Sequence, residues 1–245
     1  VRGSWHRKQI GTRSAEVFEL PDRISPRAGV LFLHDLDLVT LEGSAVYSAL
    51  FEKHGLVCVC PQAGTSWWVD RVCPQFDPQL TPERFLLDQA VSYFQREWSL
   101  APRSLGLLGF GMGGQGALRL ALRHPSIFQA VAGVGPILDF HEMYHQGTAL
   151  DEMYDSKEQC RQDTALLHVD PSRFPAHILF CAHRGDGRSW RGSDRLHEKL
   201  GALGIEHEFD VGTDGSPGWP YFERQAERAV GFLSESLRQE SRRLL

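Results

Sequence analysis

Short, continuously apolar runs alternate along this chain with longer stretches that carry apolar residues at helical spacing. Gly29–His34 (Gly-Val-Leu-Phe-Leu-His), Leu56–Pro61, Ser104–Phe110, Ala130–Val134 and His177–His183 read as strands buried on both faces of a sheet. Ala15–Leu20 reads as an early strand and Glu206–Val211 as a last one. Between them, Ser44–Lys53, Pro82–Glu97, Met112–His124 and Asp194–Leu203 read as helices, and a final helix runs from Trp219 to near Arg238. Pro82 falls in a first turn, where its missing N–H costs nothing. Strand–helix alternation of this kind predicts βαβ units and a mostly parallel sheet. With no internal repeat and no Pro/Ser-rich linker, residues 15–245 read as a single α/β domain.

Two segments break the rhythm. Residues 1–14 are basic and polar (Arg2, His6, Arg7, Lys8, Arg13), which predicts a flexible, solvated arm. Residues 138–170 are polar and rich in His, Met, Tyr, Asp and Gln, and read either as a surface excursion or as a cap-like insertion.

Composition narrows the class without naming a chemistry. A net charge of −5 over 245 residues argues against nucleic acid as a partner, since no basic excess is available to neutralise phosphates. No stretch approaches the ~20 apolar residues of a membrane span, and the start lacks the charged-then-apolar pattern of a secretion signal. Cys58, Cys60, Cys73, Cys160 and Cys181 are odd in number and have no zinc-ligand or C-x-x-C spacing. Reduced core thiols in a cytoplasmic protein are therefore expected, with no cofactor and no metal.

The candidate chemistry lies at residues 104–118, an apolar strand that enters a glycine-rich turn and then a helix. This is the context of the nucleophile elbow G-x-S-x-G, which lifts a serine hydroxyl above the sheet. Gly109 and Gly113 hold the flanking glycine positions, and Gly111 stands where the serine belongs. Glycine enters strained turns without a Cβ clash, so Ser→Gly would keep the turn and abandon the attack.

Three stretches together resemble the α/β-hydrolase superfamily, from about residue 28 to 234. Gly64-Thr65-Ser66-Trp67-Trp68-Val69-Asp70 is similar to a G-x-S-W-Y-x-D loop. Gly109-Phe110-Gly111-Met112-Gly113-Gly114-Gln115-Gly116-Ala117-Leu118 matches G-x-S-M-G-G-x-G-A-L except at the serine, and continues into Arg123-His124-Pro125-Ser126-Ile127-Phe128. Gly215-Ser216-Pro217-Gly218-Trp219-Pro220-Tyr221-Phe222 resembles G-G-H-S-W-x-Y-W/F. Within the superfamily the chain looks closest to the putative-esterase group, which includes esterase D, S-formylglutathione hydrolase, feruloyl esterases and mycolyltransferases. The resemblance implies an α/β-hydrolase fold, with helices on both faces of the sheet.

It also implies where the chemistry would sit. Pro217 takes the position of the catalytic histidine, and no histidine follows His207. Without an imidazole base a restored serine would remain a weak nucleophile. The acid slot after His177–His183 falls on Asp186, which reads equally as an exposed turn residue; Asp194 reads as the start of the next helix. The backbone N–H groups of Met112 and of the Asp35–Leu36 turn occupy the oxyanion-hole positions. Asp35 stands where the family usually has glycine. Trp67, Trp68 and Trp219 fall on pocket-side loops, as a binding platform or as buried anchors.

Two function classes stay open. One is an esterase homologue without Ser-His-Asp hydrolysis, kept for binding a small ligand or a protein partner. The other is an ester hydrolase with a non-standard arrangement drawn from His34, His183, Cys181 and Asp186 at the strand ends. Metal binding by His141, Glu142 and His145 is a weaker third, because i and i+4 share a helix face but no third ligand is evident. Homo-oligomerisation is left open.

Overall fold

The continuous apolar runs become the middle of a sheet. In the computed structural model, which describes residues 2–213 and 215–243, eight strands pair in the order β1-β2-β4-β3-β5-β6-β7-β8. They are β1 Ser4–Ile10, β2 Arg13–Glu19, β3 Ala28–Leu33, β4 Leu56–Pro61, β5 Leu105–Phe110, β6 Ala130–Val134, β7 His177–His183 and β8 Glu208–Gly212. β2 runs antiparallel to β1 and β4, and every later pairing is parallel. This is the mostly parallel sheet of the α/β-hydrolase fold. Every residue of β3, β4, β5 and β6 is buried, because helices cover both faces.

The helices are α1 Ala45–His54, α2 Pro82–Phe85, α3 Val91–Trp98, α4 Met112–Arg123, α5 Leu150–Met153, α6 Lys157–Gln162, α7 Gly187–Ala202, α8 Trp219–Arg224 and α9 Ala226–Arg243. Gly106 of β5 faces Leu233 and Leu237 of α9, while Gly109, on the opposite face of the same strand, faces α4. A π-helical turn over Leu86–Ala90 joins α2 to α3, so the expected helix is continuous but locally widened and underwound. Thr81 caps its start by accepting from the Arg84 N–H, with Pro82 in the first turn.

Three expectations need correcting. Residues 1–14 are not a flexible arm, since Ser4–Ile10 forms an edge strand in a hairpin with β2. Its charged residues stay in water, as edge strands require, while the Trp5 ring packs on Phe18 and Phe51 and its N–H donates to Ser48 Oγ at 2.8 Å. The helix expected from Asp194 begins at Gly187 and is capped by Asp186, so Asp194 lies mid-helix. Its opening is rich in Gly and Ser, poor helix formers, but burial of Ser189, Gly192 and Ser193 holds it in place. The final helix breaks at Gln225 into α8 and α9. Val1, Asp214, Leu244 and Leu245, which fall in the expected arm and domain, lie outside the described residues.

The segment 138–170 is a chain of short turns of helix pinned to the elbow helix α4. Gln115 Oε1 accepts from the Ala165 N–H at 2.9 Å, and Phe140 stacks on Trp67 with ring centroids 4.9 Å apart. Arg119 of α4 donates to Glu83 and to Asp163, with the Arg119 and Glu83 side chains almost wholly buried. Burial works against the charged form of Glu83, but the His124 hydrogen bond and the Arg119 and Arg123 charges outweigh it and hold its carboxyl below the ordinary value. No helix among the described residues is long and apolar enough to cross a membrane.

Candidate functional site

The ends of β5, β6 and β7 and the loop after β3 converge on Gly111. Its φ of 51° and ψ of −112° lie in a region open chiefly to glycine, and it forms the N-cap of α4. The Gly111 N–H donates to Val134 O at 3.1 Å, and its carbonyl accepts from Gln115 at 3.1 Å and Ile137 at 3.0 Å. The sharp elbow therefore exists without a nucleophile on it.

The space above Gly111 is occupied by Asp35. A Cβ at position 111 would lie 2.1 Å from Asp35 Oδ1 and 2.3 Å from Oδ2. The Met112 N–H donates to Asp35 Oδ1 at 2.8 Å, and the Leu36 amide also acts on this carboxylate. These are the two backbone donors that the sequence assigns to the oxyanion site, and both are turned onto a side chain of the protein itself. Burial raises the Asp35 carboxyl above its ordinary value; the two amides and Arg188 oppose the rise, and Asp37 adds to it.

The other candidate positions are dispersed. Pro217 is exposed in the loop before α8. Asp186 Oδ1 accepts from the Arg188 N–H at 3.2 Å, which makes it a helix cap. His34 donates from Nδ1 to its neighbour's carbonyl at 2.8 Å and accepts at Nε2 from the Ala63 N–H at 3.1 Å, so both ring nitrogens are engaged. Burial lowers its pKa, which keeps it neutral. Cys181 is buried and its thiol is pushed up to about 12, chiefly by desolvation, so no thiolate forms near neutrality. His183 differs from these. Its Nδ1 accepts from the Gly185 N–H at 3.0 Å, and its Nε2 is buried with no hydrogen-bond partner among the described residues.

The loop aromatics divide. Trp67 and Trp68 are wholly buried, both at positive φ, and act as anchors. The Trp68 indole donates to the His34 carbonyl at 3.2 Å, and its ring meets the His34 ring edge-on at 5.0 Å. Trp67 stacks on Phe140, so the loop packs against residues 138–170. Trp219 is half-buried at the start of α8, edge-on to Phe110 at 5.8 Å. His141 and His145 do not share a helix face, because the 3₁₀ turn Phe140–Met143 ends before His145; they pair separately with Glu142 and Asp151.

A cleft of about 380 Å³ opens beside the elbow, between residues 137–146 and the first turns of α7. Its walls carry Ile137, whose amide is bonded to Gly111, and Arg188, Arg191 and Arg195 of α7. Sequence reading passed over these arginines. Their i, i+3, i+7 spacing marks one helix face only if the helix begins at Gly187.

Comparison with known proteins places this geometry. A family model described as "Putative esterase" matches residues 50–224. Among curated protein sequences none matches. Among solved structures, an S-formylglutathione hydrolase from Agrobacterium tumefaciens superposes with a TM-score of 0.79 at 16% identity, covering 95% of this chain and 94% of that one. A substrate-bound, fluorophosphonate-binding serine hydrolase from Staphylococcus aureus gives 0.78 at 15% identity, covering 96% and 99%. MPT51 of Mycobacterium tuberculosis gives 0.75 at 15% identity, covering 95% and 98%.

Proposed function

The chain belongs to the family described as "Putative esterase", of the α/β-hydrolase superfamily, and on that premise we propose that it is a non-hydrolytic member, kept as a binding protein. One observation carries this reading. The Asp35 carboxylate accepts the Met112 N–H at 2.8 Å and fills the volume above Gly111.

Ester hydrolysis needs three things at one point: a nucleophile, a base for its proton, and donors aimed at the developing oxyanion. Position 111 has no side chain, and position 217 has no imidazole. The donor pair is already satisfied by a carboxylate, whose negative charge would repel a second oxyanion. Backbone donors survive loss of catalysis, so the scaffold is retained while its polar focus turns inward. Five free, buried cysteines fit work in a reducing compartment such as the cytoplasm.

The alternative, an ester hydrolase with a different arrangement, rests on the unpartnered Nε2 of His183. The same histidine packs edge-on against the Tyr221 ring at 5.4 Å, which offers it a phenol as oxygen nucleophile. Burial holds that phenol well above its ordinary pKa.

The test is covalent labelling with a fluorophosphonate probe beside a burst assay on p-nitrophenyl acetate. Neither labelling nor burst is expected. Stoichiometric labelling mapped to any residue would overturn the reading and promote the alternative.

A further inference from the structure

We propose that the cleft beside the elbow binds a small phosphomonoester, with its phosphate held between Arg188 and Arg191. This rests on the reading of the cleft as a binding site, and does not depend on whether hydrolysis is lost.

The argument is one of uncompensated charge in a shaped cavity. Five ionisable side chains line the cleft: Arg188, Arg191, Arg195, Asp139 and Glu142. Arg195 is paired with Asp139. Glu142 is paired with Lys157 at 2.6 Å, from outside the cleft, and lies 3.3 Å from His141. Both acids are therefore neutralised by partners. Arg188 makes a loose contact, 3.8 Å to Asp186, whose Oδ1 already accepts the Arg188 amide, and its charge reaches Asp35 only at longer range. Arg191 reaches the Gly187 carbonyl at 3.5 Å and has no carboxylate within ion-pair distance among the described residues; its charge acts on Glu142 from further off, and Glu142 already has Lys157. Two guanidinium groups, one helical turn apart, remain in excess.

Guanidinium presents a planar fork of donors that matches the oxygens of phosphate, and two forks match a dianion better than a single carboxylate. At the start of α7 the amides of residues 188–190 are already taken. The Arg188 N–H goes to Asp186 Oδ1, and those of Ser189 and Trp190 go to the Asp186 carbonyl. The arginine side chains would do the holding. About 380 Å³ fits a small metabolite rather than a polymer. Ile137 and Met143 offer apolar surface to the organic part of the ligand, and Gln146 a hydrogen-bonding amide.

The experiment is isothermal titration of the whole protein with inorganic phosphate, with phenyl phosphate and with phenol. One-to-one binding of phenyl phosphate is expected with a Kd of roughly 10 μM to 1 mM, weaker binding of phosphate, and none of phenol. Tighter binding of the ester than of phosphate identifies an organic phosphate as the ligand class. Equal binding of the two would mean that the cleft takes the free ion, and would overturn the phosphomonoester assignment. Arg191→Ala and Arg188→Ala should each weaken binding about tenfold or more, and Arg191→Lys should restore it only in part. Arg242→Ala, on the far end of α9, should change nothing. These positions are exposed, and thermal melts of each variant check that the fold is intact. Failure to saturate with phenyl phosphate at about 10 mM, or equal binding by Arg191→Ala, would overturn the proposal. Fluorophosphonate labelling of the same samples reports separately on hydrolysis, so the two readings fail independently.

Discussion

Gly109 and Gly113 meet backbone to backbone at the elbow: a Cβ on Gly109 would lie 2.0 Å from the Gly113 carbonyl oxygen. On its other side, a Cβ on Gly113 would lie 1.9 Å from the Leu33 carbonyl. These glycines let strand and helix approach closely, a demand of the fold that holds whether or not a serine stands between them. Persistence of G-x-x-x-G therefore speaks for architecture and is silent on catalysis.

Gly109→Ala and Gly113→Ala should accordingly be among the most damaging small substitutions in the chain. The obstructing atoms are backbone and cannot rotate away, so a loss of about 3 kcal/mol or more is expected. Urea unfolding of each variant measures it, and a loss below about 1 kcal/mol would show that β5 and α4 can separate without penalty.

Asp35 makes a pH-dependent prediction. Its carboxyl titrates above the ordinary value because burial disfavours the charged form. The folded state then holds the proton more tightly than the unfolded state, so this residue's contribution falls as pH rises from the ordinary carboxylate range through the raised folded value, and is level beyond it. Asp35→Asn keeps an acceptor for the Met112 N–H without the charge. The variant's stability relative to wild type should therefore rise across that window and then level off. Denaturant midpoints measured from about pH 4 to pH 8 check the sign; a difference that is flat or falling across this range would mean that Asp35 is not strained by its burial.

The Glu83–Arg119–Asp163 cluster carries the opposite pH sign. Burial opposes ionisation of both acids, but their partners win and both are held below ordinary carboxylate values. Their contribution is present above the ordinary carboxylate range and is lost as pH falls through the depressed folded values. Arg119→Met would remove the buried cation shared by Glu83 and Asp163, leaving them to the more exposed Arg123, His124, Arg71 and His168, at a cost of about 3–5 kcal/mol. Protease sensitivity should appear first in residues 138–170, which Asp163 ties to α4. Uniform, two-state loss with no early cleavage there would show that the segment does not depend on this tie.

These contacts also show what a sequence can and cannot reveal. β3, β5 and β6 were legible because burial on both faces writes an unbroken apolar run. β1 was not, because an edge strand keeps its charges in water and shows the core little beyond Trp5 and Ile10. The start of α7 was obscured by glycines and serines chosen for close packing rather than helix propensity, and with it the face shared by Arg188, Arg191 and Arg195. Gly111 and Pro217 could be read because motif positions carry their own meaning. That Asp35 fills the volume above Gly111 could not, because it depends on the rotamer of one side chain meeting a turn 76 residues further along.

Repair of the site tests that last contact most directly. Gly111→Ser alone should give no burst on p-nitrophenyl acetate. The new side chain must adopt a positive φ, a strain of about 1–3 kcal/mol, and must evict the Asp35 carboxylate that a Cβ would meet at 2.1 Å. Adding Pro217→His supplies a base, but the displaced carboxylate still competes for the Met112 amide. Only with Asp35→Gly as a third change are the donors freed for an oxyanion, and Asp186 must also leave its cap to orient the new imidazole. Groups that act as a unit return activity together or not at all. The singles and the Gly111→Ser/Pro217→His double should stay at background, with measurable turnover in the triple variant. Turnover in Gly111→Ser alone would reveal a base already beside the elbow, with His183 the first to examine. Turnover in the double equal to the triple would show that Asp35 does not block the site.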